Sequence, residues 1–341
     1  MPVAAQASIG ATRGLVPLWV KPVVSFYDVS RIRRAIGARD GDEGGKREGR
    51  ARARHGHLGI VRRDDACWEN LDDLHKDAAL PPMSPASNLS GRVALVTGGA
   101  QGLGRAIAER LAAEGCRLVV ADIDSARLAA CQDELCRQFG AVLAIEMDVS
   151  NEFSVRNGFA AIAENVGRLD ILVNNAGIIG LRDGKRPLVE EMSLDLWQRT
   201  LAVNLTGAFL ASRSAIPLMK AGKWGRIINM SSRAGRTRTG LGHSNYAASK
   251  AGLIGFSRSL AGEVGRDGIT VNCIAPSRVR TSMTDTLADS AEAFARNIAE
   301  TAVGRLATSL DVAGVAAFLC SDAASFLTGI VIDVNGGSYM P

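Results

Sequence analysis

A glycine-rich turn between a strand-like and a helix-like segment limits the folds open to this chain more than any other feature. The apolar run Arg92-Val-Ala-Leu-Val-Thr97 leads into Gly98, Gly102 and Gly104, and a helical stretch follows from Arg105 to Glu114. Such glycines let backbone N–H groups approach a pyrophosphate, while the helix N-terminus favours its negative charge. The spacing is G-x-x-x-G-x-G rather than G-x-G-x-x-G. The turn therefore predicts a dinucleotide site within an α/β fold.

Strand and helix patterns alternate from residue 92 to the end of the chain, with short links. This alternation predicts a Rossmann-type, doubly wound parallel sheet with helices on both faces, in one α/β domain over residues 89–341. Thr308-Ser-Leu-Asp311 also predicts a capping box at the start of the last long helix. We predict seven strands, at about 92–97, 117–122, 142–147, 169–174, 225–231, 269–275 and 329–335.

An acid stands at the predicted end of the second strand, where it bears on the choice of cofactor. Asp122 lies 18 residues after Gly104 and can accept hydrogen bonds from the hydroxyls of the adenine ribose, whereas it repels a 2′-phosphate. Gln101, inside the glycine-rich turn, provides no positive charge for such a phosphate. Both features favour NAD over NADP. The alternative for Asp122 is an ordinary solvated residue at the end of a strand.

A tyrosine and a lysine lie four residues apart in Tyr246-Ala-Ala-Ser-Lys250. Positions i and i+4 share one face of a helix, so the phenol and the ammonium would point into the same space. A fixed cation nearby favours the phenolate and should move the pKa of Tyr246 from about 10 toward neutrality. The pair therefore predicts a proton donor and acceptor for a C–O bond. An amphipathic helix without a catalytic role is the alternative.

Several motifs occur together in the order typical of one family, and residues from about Leu89 to Met340 resemble the short-chain dehydrogenase/reductases. Thr97-Gly-Gly-Ala-Gln-Gly-Leu-Gly104 resembles the family's cofactor loop, and Asn174-Asn-Ala-Gly177 resembles its motif after the fourth strand. Val334-Asn-Gly-Gly-Ser-Tyr-Met340 resembles the ending of the 3-oxoacyl-carrier-protein reductases. The cofactor-binding residues that the resemblance implies are Gly98, Gln101, Gly102, Leu103, Gly104, Asp122, Asp148, Val149, Asn175, Ala176, Gly177, Tyr246, Lys250 and Thr281.

The resemblance also implies a catalytic set of Asn204, Ser232, Tyr246 and Lys250. Tyr246 would exchange the proton of the alcohol, and Lys250 would favour its phenolate and hold the nicotinamide ribose. Ser232 would bind the substrate oxygen, and Asn204 would hold a water that links Lys250 to solvent. Ser231 competes with Ser232 for that role, but neighbouring side chains of a strand point to opposite faces. The hydride itself is supplied or taken up by the cofactor.

The expected function is an NAD(H)-dependent oxidoreductase that transfers a hydride between nicotinamide and a secondary alcohol or ketone. One alternative is a 3-oxoacyl-carrier-protein reductase that uses NADPH; Lys223 matches one basic position of those enzymes, whereas Asp267 occupies the other. A second alternative is a nucleotide-sensing binding protein without catalytic activity. The resemblance further implies a homotetramer in which Arg199–Met219 and Asn245–Val264 pair across two-fold axes.

One position departs from the family pattern on the substrate side. Pro276-Ser277 stands where the family usually has Pro-Gly, and glycine permits backbone angles that serine resists. The chain path under the nicotinamide is therefore expected to differ slightly. Residues 281–304 are expected to form a polar substrate lid.

The first 88 residues are expected to form no part of the enzyme domain. They hold 14 Lys and Arg against 11 Asp and Glu, a net charge of +3; since the whole chain is +5, the remainder is only +2. A high pI therefore does not predict a nucleic-acid partner. Three explanations for this stretch stay open: a disordered extension, a transit peptide, or sequence upstream of a true start at Met83.

Other classes are disfavoured by composition. The six cysteines form no C-x-x-C pair and no Cys/His zinc spacing, which predicts no metal site and fits a reducing cytoplasm. No apolar run approaches the ~18 residues of a membrane span, so no membrane partner is expected.

Overall fold

A computed structural model of the chain describes residues 89–238, 243–279 and 291–341. The stretch upstream of residue 89, including Met83 and its proposed start, lies outside the described residues, as does Thr281. Seven parallel strands form one sheet in the order β3-β2-β1-β4-β5-β6-β7. They are β1 Val93–Thr97, β2 Arg117–Asp122, β3 Val142–Glu146, β4 Ile171–Asn174, β5 Gly225–Met230, β6 Ile269–Pro276 and β7 Val331–Val334. The predicted Rossmann-type sheet is confirmed, with each strand end within two residues of its predicted position.

The helices follow the strands in alternation, as parallel pairing requires. They are α1 Gly102–Ala113, α2 Ser125–Phe139, α3 Glu152–Asn165, α4 Leu194–Leu201, α5 Gly207–Ala221, α6 Ser244–Val264, α7 Ala291–Ala299 and α8 Ser309–Cys320. A π-helical turn, Ala202–Thr206, joins α4 to α5. Thr308 and Asp311 form the predicted capping box at the start of α8.

The core has two layers because successive side chains of each strand point to opposite faces of the sheet. On one face, Ala94 and Val96 of β1 pack with helices α1, α2 and α8. On the other face, Val93 and Leu95 pack with α3, α5 and α6. All four side chains are fully buried. Burial on both faces explains why the strands read as continuous apolar runs rather than as alternating patterns.

The strand order determines where along the sheet a ligand should bind. The first strand, β1, lies inside the sheet, with β2 and β3 on one side of it and β4 to β7 on the other. In open α/β sheets, ligands bind outside the carboxyl ends of the strands at this reversal. The glycine-rich turn follows β1 and the Asn175–Gly177 segment follows β4, so both lie at that point.

Among the described residues, one continuous helical stretch is long and apolar enough to cross a membrane by length and composition. It runs over Leu194–Ala221, and its most apolar window has a mean hydropathy of 1.2. The sequence prediction that no such run exists was therefore too strict. Ala211 and Ala215 of this stretch are fully buried against the sheet, as in a core helix. A core helix passes the same composition test, so this feature is weak evidence for a membrane span.

Candidate active site

The glycine-rich turn is fastened to the segment that follows β4. The amide Nδ2 of Asn175 donates to the carbonyl oxygens of Thr97 (3.1 Å) and Gly98 (3.0 Å). The backbone N–H groups of Asn175 and Ala176 donate to Oγ1 of Thr97 at 3.1 and 3.2 Å. Gly98 has a φ of +61°, and a Cβ there would lie 2.9 Å from Cα of Ala176. Glycine is required because the two segments approach so closely.

Helix α1 begins at the turn and directs its N-terminus across it. Gln101 is the N-cap residue and makes no side-chain hydrogen bond to the first turn, and Gly102 follows with a φ of +55°. Leu103 packs against the buried core and anchors the helix start. The N–H groups of a first helical turn lack intrahelical partners, so this end can hold a phosphate group. A Cβ on Gly104 would overlap the carbonyl oxygen of Gly98.

Asp122 lies at the end of β2 with only 8% of its surface exposed. Its Oδ2 accepts from the backbone N–H of Ala100 (3.1 Å), and its Oδ1 accepts from that of Asp124 (3.2 Å). The carboxylate therefore holds the glycine-rich turn in place. Since each carboxylate oxygen has further lone pairs, it can still accept a ribose hydroxyl. Its predicted role as the ribose ligand stays a prediction.

A cation that the sequence analysis missed lies beside Gln101. Arg127, in the first turn of α2, donates from its guanidinium to Oε1 of Gln101 at 2.6 Å. Its Nε also pairs with Asp124 at 3.2 Å. Gln101 itself carries no charge, as stated from the sequence, but a positive charge lies 2.6 Å from its Oε1. The basic group comes from a helix 26 residues further along the chain, and nothing in the turn motif indicates it.

Two of the predicted cofactor-binding residues follow β3. Oδ1 of Asp148 accepts from the backbone N–H (2.9 Å) and from Oγ (2.7 Å) of Ser150. These bonds fix the carboxylate at the start of the loop. Val149 is 8% exposed, and a Cβ on Gly207 would lie 2.9 Å from its Cγ2. Val149 thus packs directly against the start of α5.

Asn204 lies inside the π-helical turn between α4 and α5 and is only 2% exposed. Its amide donates to the carbonyl of Ile178 (2.9 Å) and to Oγ of Ser249 (3.0 Å), and its Oδ1 accepts from the N–H of Ile178 (2.8 Å). Single π-turns inside α-helices frequently mark functional sites. A Cβ on Gly177 would lie 3.2 Å from Oδ1 of Asn204 and 3.5 Å from Nζ of Lys250, so both groups flank this glycine.

Ser232, Tyr246 and Lys250 are brought together where β5 ends and α6 begins. Ser232 follows β5, and its hydroxyl lies close enough to the phenol of Tyr246 to lower the pKa of that phenol. Lys250 is 4% exposed, and its Nζ donates to the carbonyl of Met230 at 2.6 Å. Ser231 instead donates to the carbonyl of Lys250 at 2.9 Å, away from the phenol. The geometry thus favours Ser232 over Ser231 as the substrate-binding serine.

The prediction that the pKa of Tyr246 is lowered toward neutrality was wrong, because the pKa is raised. Burial of the hydroxyl raises its pKa above the usual value, and the hydrogen bond from Ser232 lowers it only in part. Nζ of Lys250 lies 5.7 Å from the centre of the tyrosine ring and donates to Met230 rather than to the hydroxyl. Burial opposes the phenolate more strongly than the nearby cation favours it. Tyr246 is therefore held in its protonated form, ready to donate.

The buried ammonium of Lys250 should destabilise the folded protein at neutral pH. Burial lowers the pKa of Lys250 from 10.5 to about 8. The folded state thus binds this proton more weakly than the unfolded chain, so stability rises between pH 8 and 10.5 and the full penalty applies below pH 8. Lys250→Met should therefore increase the free energy of unfolding at pH 7 by roughly 1–3 kcal/mol, and the gain should vanish near pH 10.5.

Urea unfolding of the full chain at pH 7 and pH 10 measures this difference. The matched control is Lys220→Met, because Lys220 is 47% exposed and pairs with Asp267 at the surface. A Lys250→Met protein that is less stable than wild type at both pH values would contradict the predicted penalty.

The substrate side is described only in part. Residues 280–290, which include Thr281 and the first ten residues of the predicted lid, lie outside the described residues. Ser277, at the position where the family usually has glycine, is not among the positive-φ residues, and its N–H donates to the carbonyl of Val334 at 3.0 Å. Serine therefore fits this path without backbone strain, and the expected difference from the family's chain path stays a prediction.

Fold and site together define a class of protein. A doubly wound sheet carries a glycine-rich turn at its reversal point, and Ser232, Tyr246 and Lys250 lie close together at the end of β5. The structure is that of a nicotinamide-dependent oxidoreductase.

Comparison with known proteins supports the assignment to the oxidoreductases. Residues 98–339 match the family model described as enoyl-(acyl carrier protein) reductase. The chain is 41% identical over 252 residues to the 3-oxoacyl-[acyl-carrier-protein] reductase FabG of Aquifex aeolicus, a match covering 74% of this chain and 98% of that protein. It is 37% identical to the (2S)-[(R)-hydroxy(phenyl)methyl]succinyl-CoA dehydrogenase subunit BbsD of Thauera aromatica, over 73% and 97% of the two chains.

A solved structure extends the match to three dimensions. The 3-oxoacyl-[acyl-carrier protein] reductase of Brucella melitensis with bound NAD is 36% identical, with a TM-score of 0.69 and coverage of 77% of this chain and 99% of that one. The protein therefore belongs to the short-chain dehydrogenase/reductase family.

Proposed function

We propose that the protein is an NAD(H)-dependent oxidoreductase that interconverts a secondary alcohol and a ketone, with Tyr246 as the proton donor and acceptor. The observation that carries the proposal is the meeting of β5 and α6: Nζ of Lys250 lies 5.7 Å from the centre of the Tyr246 ring and donates to the carbonyl of Met230, two residues before Ser232. One carbonyl oxygen could then accept from the hydroxyl groups of both Ser232 and Tyr246. Lys250 is buried next to them, on the next turn of α6. A bound nicotinamide supplies the hydride, while these residues orient the substrate oxygen and move its proton.

The choice of NAD rests on Asp122, which presents a carboxylate where a 2′-phosphate would have to fit. The structure from Brucella melitensis, which contains NAD, shows that a relative can bind this cofactor. A turnover assay tests the proposal: the full chain is given NAD with a panel of secondary alcohols, and NADH with the matching ketones. Absence of turnover with both cofactors would instead favour a nucleotide-sensing binding protein.

A carrier-protein ketoreductase is the second candidate, supported by the relative from Aquifex aeolicus. Lys223 and Arg266 are exposed at one surface, as docking of an acidic partner would require. Asp267 follows Arg266 in the sequence and pairs with Lys220 at 2.8 Å, so it removes part of the positive charge of this surface. Acetoacetyl groups on a carrier protein and on N-acetylcysteamine separate the candidates, because only a carrier-protein enzyme should prefer the former by its kcat/KM.

We also propose that the enzyme is a homotetramer that pairs through α5 and α6. Phe209 of α5 is 41% exposed and packs edge-on against Phe256 of α6, with ring centres 6.2 Å apart. Gly255 and Gly262 leave open space on α6, which allows a second helix to approach closely. Light scattering should give about four times the 35.9-kDa chain mass. A monomer at micromolar concentration would contradict this assembly.

A further inference from the structure

A cavity of about 510 Å³ opens at the amino edge of the sheet, opposite the edge at which Ser232 follows β5. It is lined by the starts of β5 and β6, by the end of α6 and by the segment that follows α8. Because a strand rises ~3.3 Å per residue and Arg226 precedes Ser232 by six positions, the cavity lies ~20 Å from the active site. Its volume is that of a small-molecule site.

Arg226, on the wall of this cavity, is a buried cation with few partners. Only 2% of its surface is exposed. Its Nη1 donates to the carbonyl of Gly225 at 2.9 Å, whereas its Nη2 lies 3.7 Å from Asp322, beyond hydrogen-bond distance. Its Nε has no hydrogen-bond partner among the described residues. A buried guanidinium with so few acceptors costs free energy, which a bound anion would reduce.

Trp224 orients the guanidinium group of Arg226. The centre of its ring lies 4.1 Å from the guanidinium carbon of Arg226 and 3.8 Å from that of Arg92. Arg92 is neutralised by Asp170 at 3.3 Å, so Arg226 is the cation of this pair that lacks a close acid. Stacking uses the flat face of a guanidinium group and leaves the N–H groups in its plane free to bind an acceptor.

Two further side chains of the cavity wall can bind an anion. Lys223 is exposed, and its φ of +50° lies in the left-handed region that residues with a side chain rarely adopt. Thr270 is 7% exposed, and its Oγ1 has no hydrogen-bond partner within the described part of the chain. Lys223 and Arg226 together outweigh the single acid of the wall, Asp322, so the cavity has a net positive charge.

We propose that this cavity binds a small organic carboxylate with an apolar body, and that Arg226 and Lys223 hold its carboxylate group. A guanidinium group matches a carboxylate through two parallel hydrogen bonds. Trp224, Ile269 and the fully exposed Phe326 provide apolar surface for the rest of the molecule. The site is separate from the active site and does not depend on the proposed oxidoreductase function.

Calorimetry of the full chain with phenylacetate and with its neutral counterpart, phenylacetamide, tests this site. Phenylacetate should bind with a dissociation constant of ~0.1–1 mM and at least ~10-fold more tightly than the amide. Arg226→Met should weaken phenylacetate binding at least ~10-fold and leave the weak binding of the amide unchanged. Equal affinity for the acid and the amide, or unchanged phenylacetate binding in Arg226→Met, would overturn the inference.

A variant that should gain affinity guards against misfolding as the cause of a loss. Asp322 is 80% exposed and would repel the bound carboxylate, so Asp322→Asn should strengthen phenylacetate binding by about 3- to 10-fold. Lys223→Met should weaken it by a similar factor. The matched control is Lys220→Met, because Lys220 pairs with Asp267 and does not line the cavity. Weaker binding in Asp322→Asn, or the same loss in Lys220→Met as in Lys223→Met, would contradict the site.

Two competition measurements separate this cavity from the active site and from simple anion binding. Saturating NADH should leave the affinity for phenylacetate unchanged, because the cofactor would bind at the other edge of the sheet. Inorganic phosphate should bind at least ~10-fold more weakly than phenylacetate, because it has no apolar body and brings more charge toward Asp322. Displacement of phenylacetate by NADH, or equally tight binding of phosphate, would overturn the inference. Neither result depends on whether any alcohol or ketone is turned over.

Discussion

Replacing Tyr246 with Phe is expected to reduce turnover by ~10²–10⁴-fold, the range of a general acid–base contribution. The substitution removes one hydroxyl and leaves the ring in place. The proton donor to the carbonyl oxygen is lost. Nζ of Lys250 is bonded to the carbonyl of Met230, so its position does not depend on the phenol. NADH affinity should therefore stay close to that of the wild type.

Two measurements on the full chain test this expectation. Initial rates with saturating NADH give kcat, and quenching of protein fluorescence gives the NADH dissociation constant. Tyr339→Phe is the matched control, because Tyr339 contacts Arg236 through its ring, 5.6 Å from the guanidinium, at some distance in sequence from the catalytic motif. If Tyr246→Phe kept more than about a tenth of the wild-type rate at neutral pH, Tyr246 would not be the acid–base group.

The direction of the Tyr246 pKa adds a pH dependence to this prediction. Because burial raises the pKa of the phenol, the donor form persists well above neutral pH. Ketone reduction should therefore hold its rate from pH 7 to about 9, where an unburied phenol of pKa ~10 would begin to ionise. Alcohol oxidation, which needs the phenolate, should still be rising at pH 10.

The sequence predicts the strands and the glycine-rich turn well, because both are specified by residues that are adjacent in the sequence. Val93 to Val96 form a run without a polar residue, which is what a strand buried on both faces requires, and such runs locate β1 and β2 closely. The glycine-rich turn can be predicted equally well, because only glycine fits at Gly104: a Cβ there would overlap a carbonyl oxygen. Where the local geometry allows only one or two residue types, the sequence alone is enough to predict the structure.

The contacts that the sequence does not reveal join distant segments. Arg127 reaches Gln101 from another helix, and Asn175 reaches the carbonyls of Thr97 and Gly98 because β1 and β4 are neighbours. The direction of the Tyr246 pKa likewise depends on how deeply the hydroxyl is enclosed. Spacing along a helix can place two side chains on one face, but burial is set by all the elements that pack around them.

The choice between NAD and NADP is the second large effect that we expect. It depends on three residues, Asp122, Gln101 and Arg127. A 2′-phosphate would meet the carboxylate of Asp122, and like charges in contact cost on the order of 1–3 kcal/mol. Arg127 would offset part of this cost, since its guanidinium lies 2.6 Å from Oε1 of Gln101. Because Arg127 also pairs with Asp124, its charge is partly neutralised. NAD should therefore exceed NADP by at least ~10-fold in kcat/KM.

Three variants divide this preference into its parts. Asp122→Asn removes the charge but keeps an acceptor for the backbone N–H of Ala100, so the turn should keep its shape. Combined with Gln101→Arg, it should narrow or reverse the NAD-to-NADP ratio, because repulsion is lost and a phosphate donor is added. Arg127→Ala should lower kcat/KM with NADP alone.

The matched control for these variants is Arg137→Ala, which removes a cation from the last turn of the same helix. It should leave both cofactors unaffected. The decisive comparison is the wild type itself, assayed with NAD and NADP at equal concentrations and with the same substrate. A wild-type preference for NADP would contradict Asp122 as the ribose ligand. It would also favour the carrier-protein ketoreductase over the NAD-linked alcohol dehydrogenase, because the charge of Arg127 would then outweigh that of Asp122.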